Sequence, residues 1–271
     1  MSKKSFPDAP DAVRRAQNSD AVRSLARGGY VASGVLHLLV GWLAVQLALG
    51  EPAGQADGSG AFRMLAQMPG GVVVLWAVAV GFAALAVWQL ATAVVGVPNT
   101  KHQAAARAKS VAKSVLYGVL AATGVRNAQG TGGSGGSEES MTAGVLSMPG
   151  GPWLVGVAGL VIVAVGAYHV VKGVRKKFLR DLTGTGGSSV RPVVVRLGQA
   201  GYVAKGIALG VVGGLVVAAA LTTDPSQAGG LDEALRTMRD QPFGTALLLV
   251  TGLGIAAFGG YSFARARFAR L

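Results

Sequence analysis

The chain has 271 residues, of which 51% are hydrophobic and only 14% are charged. Soluble domains are about a quarter charged, so this composition favours a membrane protein. The sequence contains no cysteine, which excludes disulfides, thiolate catalysis and cysteine-ligated metals. The formal net charge of +13 indicates membrane topology and attraction to anionic lipid headgroups. We expect no nucleic-acid binding, because no aromatic-interleaved basic patch accompanies the charge.

Six apolar stretches are predicted to cross the membrane as helices, since a spanning helix needs about 20 mostly apolar residues. The third stretch is shorter and carries Lys113 near its start. We still predict a spanning helix there, because the internal repeat of the sequence requires one. In chain order the predicted spans are Tyr30–Leu49, Val72–Val95, Val111–Val125, Pro152–Val171, Val203–Leu221 and Phe243–Phe263.

The distribution of Lys and Arg between these spans predicts their orientation. On one side of the membrane lie 21 of the 25 basic residues, and 8 of the 12 acidic residues lie on the other side. Because basic residues favour the cytoplasmic side, both termini are predicted to be cytoplasmic. The sequence thus predicts a multi-pass membrane protein.

A two-helix unit is written three times along the chain, and a proline marks each copy. The second of these prolines follows the first by 80 residues, and the third follows the second by 93. Each proline is predicted to open the second helix of its unit. A short helix precedes each proline motif and is predicted to lie on the outer bilayer surface. The proline motifs are Met68-Pro69-Gly70-Gly71, Met148-Pro149-Gly150-Gly151 and Gln241-Pro242-Phe243-Gly244. The short helices are Ala61–Gln67, Met141–Ser147 and Leu231–Asp240.

The repeat predicts the fold class and the organisation of the chain. We expect an all-α membrane protein whose six transmembrane helices form three tandem helical hairpins. Because the three hairpins run in the same direction, they are predicted to be related by a pseudo-threefold axis along the membrane normal. The predicted ranges are 1–22 for a cytoplasmic N-terminal segment, then 23–100, 101–183 and 184–271 for the three repeats.

The repeated unit resembles a known group of proteins. Gly29-Tyr30 and Gly201-Tyr202 lead into the first helix of two copies, and a proline stands before every second helix. In these features the chain is similar to bacterial membrane proteins of domain-of-unknown-function family 1206, and the similarity covers three copies from Arg23 onward. The resemblance implies tandem membrane hairpins in a bacterial plasma membrane. It carries over no functional residue, because the function of that family is not established.

Polar side chains at membrane depth are costly, so each one is a candidate for function. None of the six predicted spans contains Asp or Glu. His37 lies on the first span, while Gln89 and His169 occupy equivalent positions near the ends of the second and fourth spans. His37 and His169 could form a paired haem site, but the favoured interpretation is that both are packing or interface histidines. We therefore predict no catalytic residue, no metal site and no cofactor.

Basic side chains at the cytoplasmic ends of the spans are the remaining candidates. Lys113 and Lys205 occupy matching places at the starts of the third and fifth spans. They are predicted to snorkel to the interface, and a cytoplasmic vestibule is the alternative. The densest basic cluster is predicted to contact anionic lipid headgroups, with docking of a cytoplasmic partner as the alternative. It consists of Lys172, Arg175, Lys176, Lys177 and Arg180.

Three functional hypotheses follow from these patterns. The leading one is a non-enzymatic scaffold, accessory subunit or lipid-organising protein that meets the bilayer, a membrane-protein partner or a larger complex. The second is a transporter or channel for a small solute or ion, since threefold-related hairpins can surround an axial pathway. The third is a haem-binding redox subunit.

Overall fold

A computed structural model describes residues 20–51, 54–95, 103–131, 136–184 and 190–269 of the chain. The predicted N-terminal segment up to residue 19 and most of the glycine runs around residues 132–136 and 184–188 lie outside these residues. The described part is all-α and contains nine α-helices and two short 3₁₀ helices, Lys177–Asp181 and Pro225–Gln227. The α-helices are α1 Asp20–Leu49, α2 Gly58–Gln67, α3 Gly71–Val95, α4 Gln103–Ala128, α5 Gly136–Leu146, α6 Gly151–Val174, α7 Val190–Thr222, α8 Gly230–Arg239 and α9 Gly244–Phe268.

Five of these helices are long and apolar enough to cross a membrane, namely α1, α3, α6, α7 and α9. The predicted third span, Val111–Val125, is helical as part of α4, but α4 is not among the five. Its first half carries Arg107, Lys109 and Lys113, which lower its apolar character. The helices also extend beyond the predicted spans, and the largest difference is at α7. Because α7 begins at Val190, Arg191 and Arg196 lie on a helix and not in a loop.

The prolines of the repeat form turns, and the prediction that they open helices was wrong for all three. Pro69, Pro149 and Pro242 each occupy the second position of a β-turn that is closed by a backbone hydrogen bond of 2.7–2.8 Å. The third residue of each turn has a positive φ, 75° at Gly70, 77° at Gly150 and 61° at Phe243. Proline followed by a left-handed residue is the signature of a type II turn. The long helix begins one residue later.

Glycine at the fourth turn position lets α6 and α9 start directly against the short helices that precede them. A Cβ atom added at Gly151 would collide with the carbonyl oxygen of Val145, and one added at Gly244 would collide with that of Arg239. A side chain therefore cannot be accommodated there without moving the backbone. The Pro-Gly-Gly and Pro-Phe-Gly sequences thus reverse the chain within a four-residue turn.

The described chain divides into two compact units. The first unit contains α3 and α4 within residues 66–131. The second contains α1 from Tyr30, α2 up to Leu65, and the helices from α5 to α9. Each unit is held together by long helices that pack side by side.

Helices α6 and α7 of the second unit touch along a line of small residues, which we call a seam. Gly159, Gly166 and Gly173 recur every seven residues on α6 and are buried. A Cβ atom added at Gly166 would lie 2.7 Å from the carbonyl oxygen of Gly206 on α7. One added at Gly206 would lie 2.6 Å from the carbonyl oxygen of Gly166. The two backbones are therefore in direct contact, which is the packing that small residues permit between membrane helices.

Two further seams are also lined by small residues. In the second unit, a Cβ atom added at Gly41 of α1 would lie 2.7 Å from the carbonyl oxygen of Gly252 on α9. In the first unit, Gly124 of α4 faces Ala79 of α3, with an added Cβ 3.2 Å from the Ala79 Cβ. Each seam joins the second long helix of one repeat to the first long helix of another. Small residues thus pair α3 with α4, α6 with α7 and α9 with α1, and the backbones are in direct contact in the last two pairs.

The short helices α2 and α8 pack on protein, so the prediction that they lie on the bilayer surface was wrong for their apolar faces. Leu235 and Met238 of α8 are buried in one cluster with Leu43 of α1 and Leu248 of α9. The backbone N–H of Ala56, just before α2, donates a hydrogen bond of 2.8 Å to the Asp232 carboxylate of α8. These two helices therefore close one end of the second unit, which we call the capped end.

The seam between α6 and α7 predicts different effects on stability for alanine substitutions at two glycines of α7. Gly206→Ala inserts a methyl group into a backbone contact, whereas a Cβ at Gly210 meets nothing within 4 Å. We expect Gly206→Ala to destabilise the protein by about 1–3 kcal/mol through overpacking and Gly210→Ala to leave stability unchanged or raise it slightly. Thermal unfolding of the detergent-solubilised variants measures both. Equal melting temperatures for the two variants would contradict the α6–α7 contact.

Candidate functional site at the basic end of the second unit

The end of the second unit opposite the capped end holds a buried aromatic cluster. The 3₁₀ segment after α6 turns inward and places Phe178 there with 0% exposure. The ring of Phe178 lies 5.4 Å from that of Tyr202 and 5.2 Å from that of Tyr261. Phe258 completes the set, 5.2 Å from Tyr202 between ring centroids. We call these four residues the aromatic cluster and this end of the unit the basic end.

Lys205 and His37 meet beside this cluster. The Lys205 Nζ lies 3.0 Å from the His37 Nε2, and the His37 Nδ1 lies 2.7 Å from the backbone carbonyl oxygen of Ser33. Since a carbonyl oxygen only accepts hydrogen bonds, the proton of the neutral imidazole is on Nδ1. Nε2 is then the acceptor for the Lys205 ammonium group. The Phe258 ring covers that ammonium group at 4.4 Å from its centroid.

Two other cations at the basic end also lie over aromatic rings. Lys172 is 5.0 Å from the centroid of the Tyr202 ring and forms an ion pair of 2.6 Å with Asp181. The guanidinium carbon of Arg265 is 4.2 Å from the centroid of the Tyr30 ring. Arg265 also donates a hydrogen bond of 3.0 Å to the Tyr30 hydroxyl. Each ring presents a negative π face to its cation, an interaction that strengthens as water is excluded.

A groove lies next to this cluster, between the segment after α6 and the start of α7. It has a volume of about 400 Å³. Its polar lining comprises Lys176, Arg191, Arg196 and Gln199, and its apolar lining comprises Leu179, Pro192 and Val195. We call it the basic groove.

The structure separates the members of the predicted basic cluster. Lys172 faces inward in its ion pair with Asp181, and Lys176 lines the basic groove. Arg175 and Arg180 are exposed, while Lys177 is half-buried. The five residues thus do not act as one surface patch.

The three predicted polar residues at membrane depth also lie in different surroundings. His37 is hydrogen-bonded to Lys205. The Nδ1 of His169 lies 2.8 Å from the backbone carbonyl oxygen of Val165. Gln89 is half-buried on α3 of the first unit. Because the ammonium group of Lys205 occupies the ring nitrogen of His37 that would bind iron, the geometry does not fit a paired-histidine haem site.

Sequence reasoning missed the groups that shape this end. The predicted spans leave Arg191 and Arg196 between the fourth and fifth helices and place Lys205 at the start of the fifth. Pro192 is the signal that could have placed Arg191 and Arg196 on a helix, since proline is common in a first helical turn. No sequence signal links Lys205 to His37, which is 168 residues away.

Long apolar helices, glycine seams and basic side chains gathered at one end define an all-α, multi-pass membrane protein. The family Domain of Unknown Function (DUF1206) matches residues 28–96, 108–176 and 200–269. These three segments cover most of the chain, so it belongs to this family and contains three tandem copies of its domain. Each segment lies within one of the three predicted repeat ranges.

A relative is found in Bacillus subtilis (strain 168). The chain is 30% identical to the "Uncharacterized protein YxxB" over 246 residues, which cover 89% of each chain. No solved structure matches the chain.

The contact between Lys205 and His37 predicts an energetic coupling between them. Lys205→Met and His37→Phe remove the two sides of the contact while keeping similar volume. We expect the double variant to be less destabilised than the sum of the single variants, with a coupling of about 0.5–3 kcal/mol. Unfolding of all four proteins in the same detergent measures it. Full additivity would contradict the contact, and pairing Lys205→Met with the distant Thr237→Ala serves as the additive control.

Proposed function

We propose that this protein is a non-enzymatic component of a bacterial plasma membrane, acting as a scaffold, an accessory subunit or a lipid-organising protein. The observation that carries the proposal is the direct backbone contact at the seams, as between Gly166 and Gly206. The facing surfaces of helices joined in this way are filled by helix–helix packing. Their other faces present large apolar side chains such as Trp153 and Val73, which are 81% and 73% exposed. Such surfaces suit lipid or another membrane protein.

The proposed architecture has six spans, with α4 as the third, and places both termini in the cytoplasm. The three repeats are related by a pseudo-threefold axis. This proposal is supported by the small residues at equivalent seam positions of all three repeats. On the first helices these residues are Gly34, Ser114 and Gly206, then Gly41, Ala121 and Gly213; on the second helices they are Ala79, Gly159 and Gly252, then Ala86, Gly166 and Gly259.

The absence of cysteine from the sequence allows the proposed topology to be tested with single cysteines. If α4 spans the membrane, Thr131→Cys and Ser226→Cys lie outside the cell, and Arg175→Cys lies inside. We expect a membrane-impermeant maleimide to label the first two variants in intact cells and the third only after permeabilisation. Labelling of Arg175→Cys in intact cells, or protection of Thr131→Cys, would contradict six spans with cytoplasmic termini.

Composition of the isolated assembly tests the proposed function. The full chain would be extracted from its native membrane in polymer-bounded discs and analysed by mass spectrometry. We expect either a partner protein in fixed stoichiometry or a lipid population that differs from the bulk membrane. A chain that is isolated with neither would overturn the proposal.

A transporter is the second candidate, and the contact between Lys205 and His37 favours it. Ionisable side chains inside spanning helices often mark ion or substrate pathways, and both residues lie within candidate spans. Reconstitution into liposomes distinguishes the two functions. Solute or ion flux that is lost in Lys205→Met would favour transport over a scaffold.

A further inference from the structure

The basic groove brings three cations together beside the ends of two spanning helices. Lys176 follows α6 by two residues, while Arg191 and Arg196 lie on the first two turns of α7. None of the seven residues that line the groove is acidic. The closest acid along the chain, Asp181, is already paired with Lys172. An anion that entered the groove would therefore meet three positive charges and no carboxylate from its lining.

The position of the groove matches the depth of a lipid headgroup. The candidate spans α6 and α7 border it, ending at Val174 and starting at Arg191. Val174 and Val193 are 62% and 55% exposed, so an apolar surface continues from this point along both helices. Leu179, Pro192 and Val195 make the groove partly apolar. A molecule with an anionic head and an apolar tail complements both parts.

Lys176 occupies a backbone conformation that suits glycine better than lysine. Its φ is 53° and its ψ is 24°, in the left-handed region. Non-glycine residues rarely adopt this conformation, and strained residues of this kind concentrate at functional sites. The chain thus places a cation at the groove where glycine would be less strained.

We propose that the basic groove binds the phosphate group of an anionic phospholipid, with Lys176, Arg191 and Arg196 contacting the phosphate and Gln199 donating a hydrogen bond. Basic pockets at the cytoplasmic ends of membrane helices bind anionic headgroups by the same chemistry. The inference rests on the proposed function, since it specifies the lipid that a lipid-organising protein would hold. Of the five residues predicted for lipid contact, Lys176 is the one that lines this site.

Native mass spectrometry of the purified, delipidated chain tests the site with two probes, phosphatidylglycerol and phosphatidylcholine of equal chain length. We expect the wild-type chain to retain phosphatidylglycerol preferentially. Arg191→Gln and Arg196→Gln should each lower its affinity about fivefold, in line with the contribution of one basic residue near an anionic surface. The matched control, Arg175→Gln with Arg180→Gln, removes two exposed charges that do not line the groove.

Lys176→Gly separates binding from stability. Glycine accepts the left-handed backbone at no steric cost, so this variant should melt no lower than the wild type and still bind phosphatidylglycerol about fivefold more weakly. Equal loss in the control variant, or unchanged affinity in all three groove variants, would overturn the site. Displacement of the lipid by millimolar inorganic phosphate would overturn the assignment to a phospholipid in favour of a free anion.

Failure of this inference can be distinguished from failure of the proposed function. A chain without preference for phosphatidylglycerol that still carries a stoichiometric partner in native discs would overturn the lipid site alone. A chain with neither a lipid preference nor a partner would overturn both.

Discussion

Close approach of helix backbones at glycine is the constraint on which the rest of this structure depends. Lipid tails are as apolar as leucine, so membrane helices gain little from burying aliphatic side chains and associate mainly through close packing. At Gly166 and Gly206, and again at Gly41 and Gly252, each helix lies against the other's backbone. On α6 the seven-residue spacing of Gly159, Gly166 and Gly173 keeps the buried glycines on one face of the helix. Other faces of these helices expose large side chains, such as Trp153 on α6 and Val250 on α9, which are 81% and 70% exposed.

The basic end shows how a chain without acids in its spans accommodates cations there. Lys205 is held by the neutral imidazole of His37 and the face of Phe258, and Arg265 by the ring and hydroxyl of Tyr30. Such contacts stabilise a cation without neutralising it. The positive potential of this end therefore remains available to an anion. The same arrangement explains why the basic residues do not form one uniform surface patch, since some are directed inward and others line the groove.

The sequence predicts the helices and the repeat well because apolar length and proline spacing are local properties. It also indicates the family of the chain, since the same proline motif recurs at Pro69, Pro149 and Pro242. It does not predict which glycines touch another helix. Gly206 and Gly210 are four residues apart and read alike in the sequence, yet only a Cβ at Gly206 would meet another backbone. Partners such as Lys205 and His37 also depend on how α1 and α7 pack, which no local pattern encodes.

Cross-linking of α1 to α9 tests the seam contact most directly. The Cβ of Ala44 lies 3.0 Å from a Cβ built at Gly252, which is within reach of a disulfide after a small adjustment. In this cysteine-free chain, Ala44→Cys with Gly252→Cys should form an intramolecular disulfide on mild oxidation and resist maleimide–polyethylene glycol. Ala44→Cys with Val250→Cys, whose second position is 70% exposed, should remain reactive. Free thiols in the first pair of a monodisperse, folded protein, or equal cross-linking in both, would contradict backbone contact between the first and last long helices.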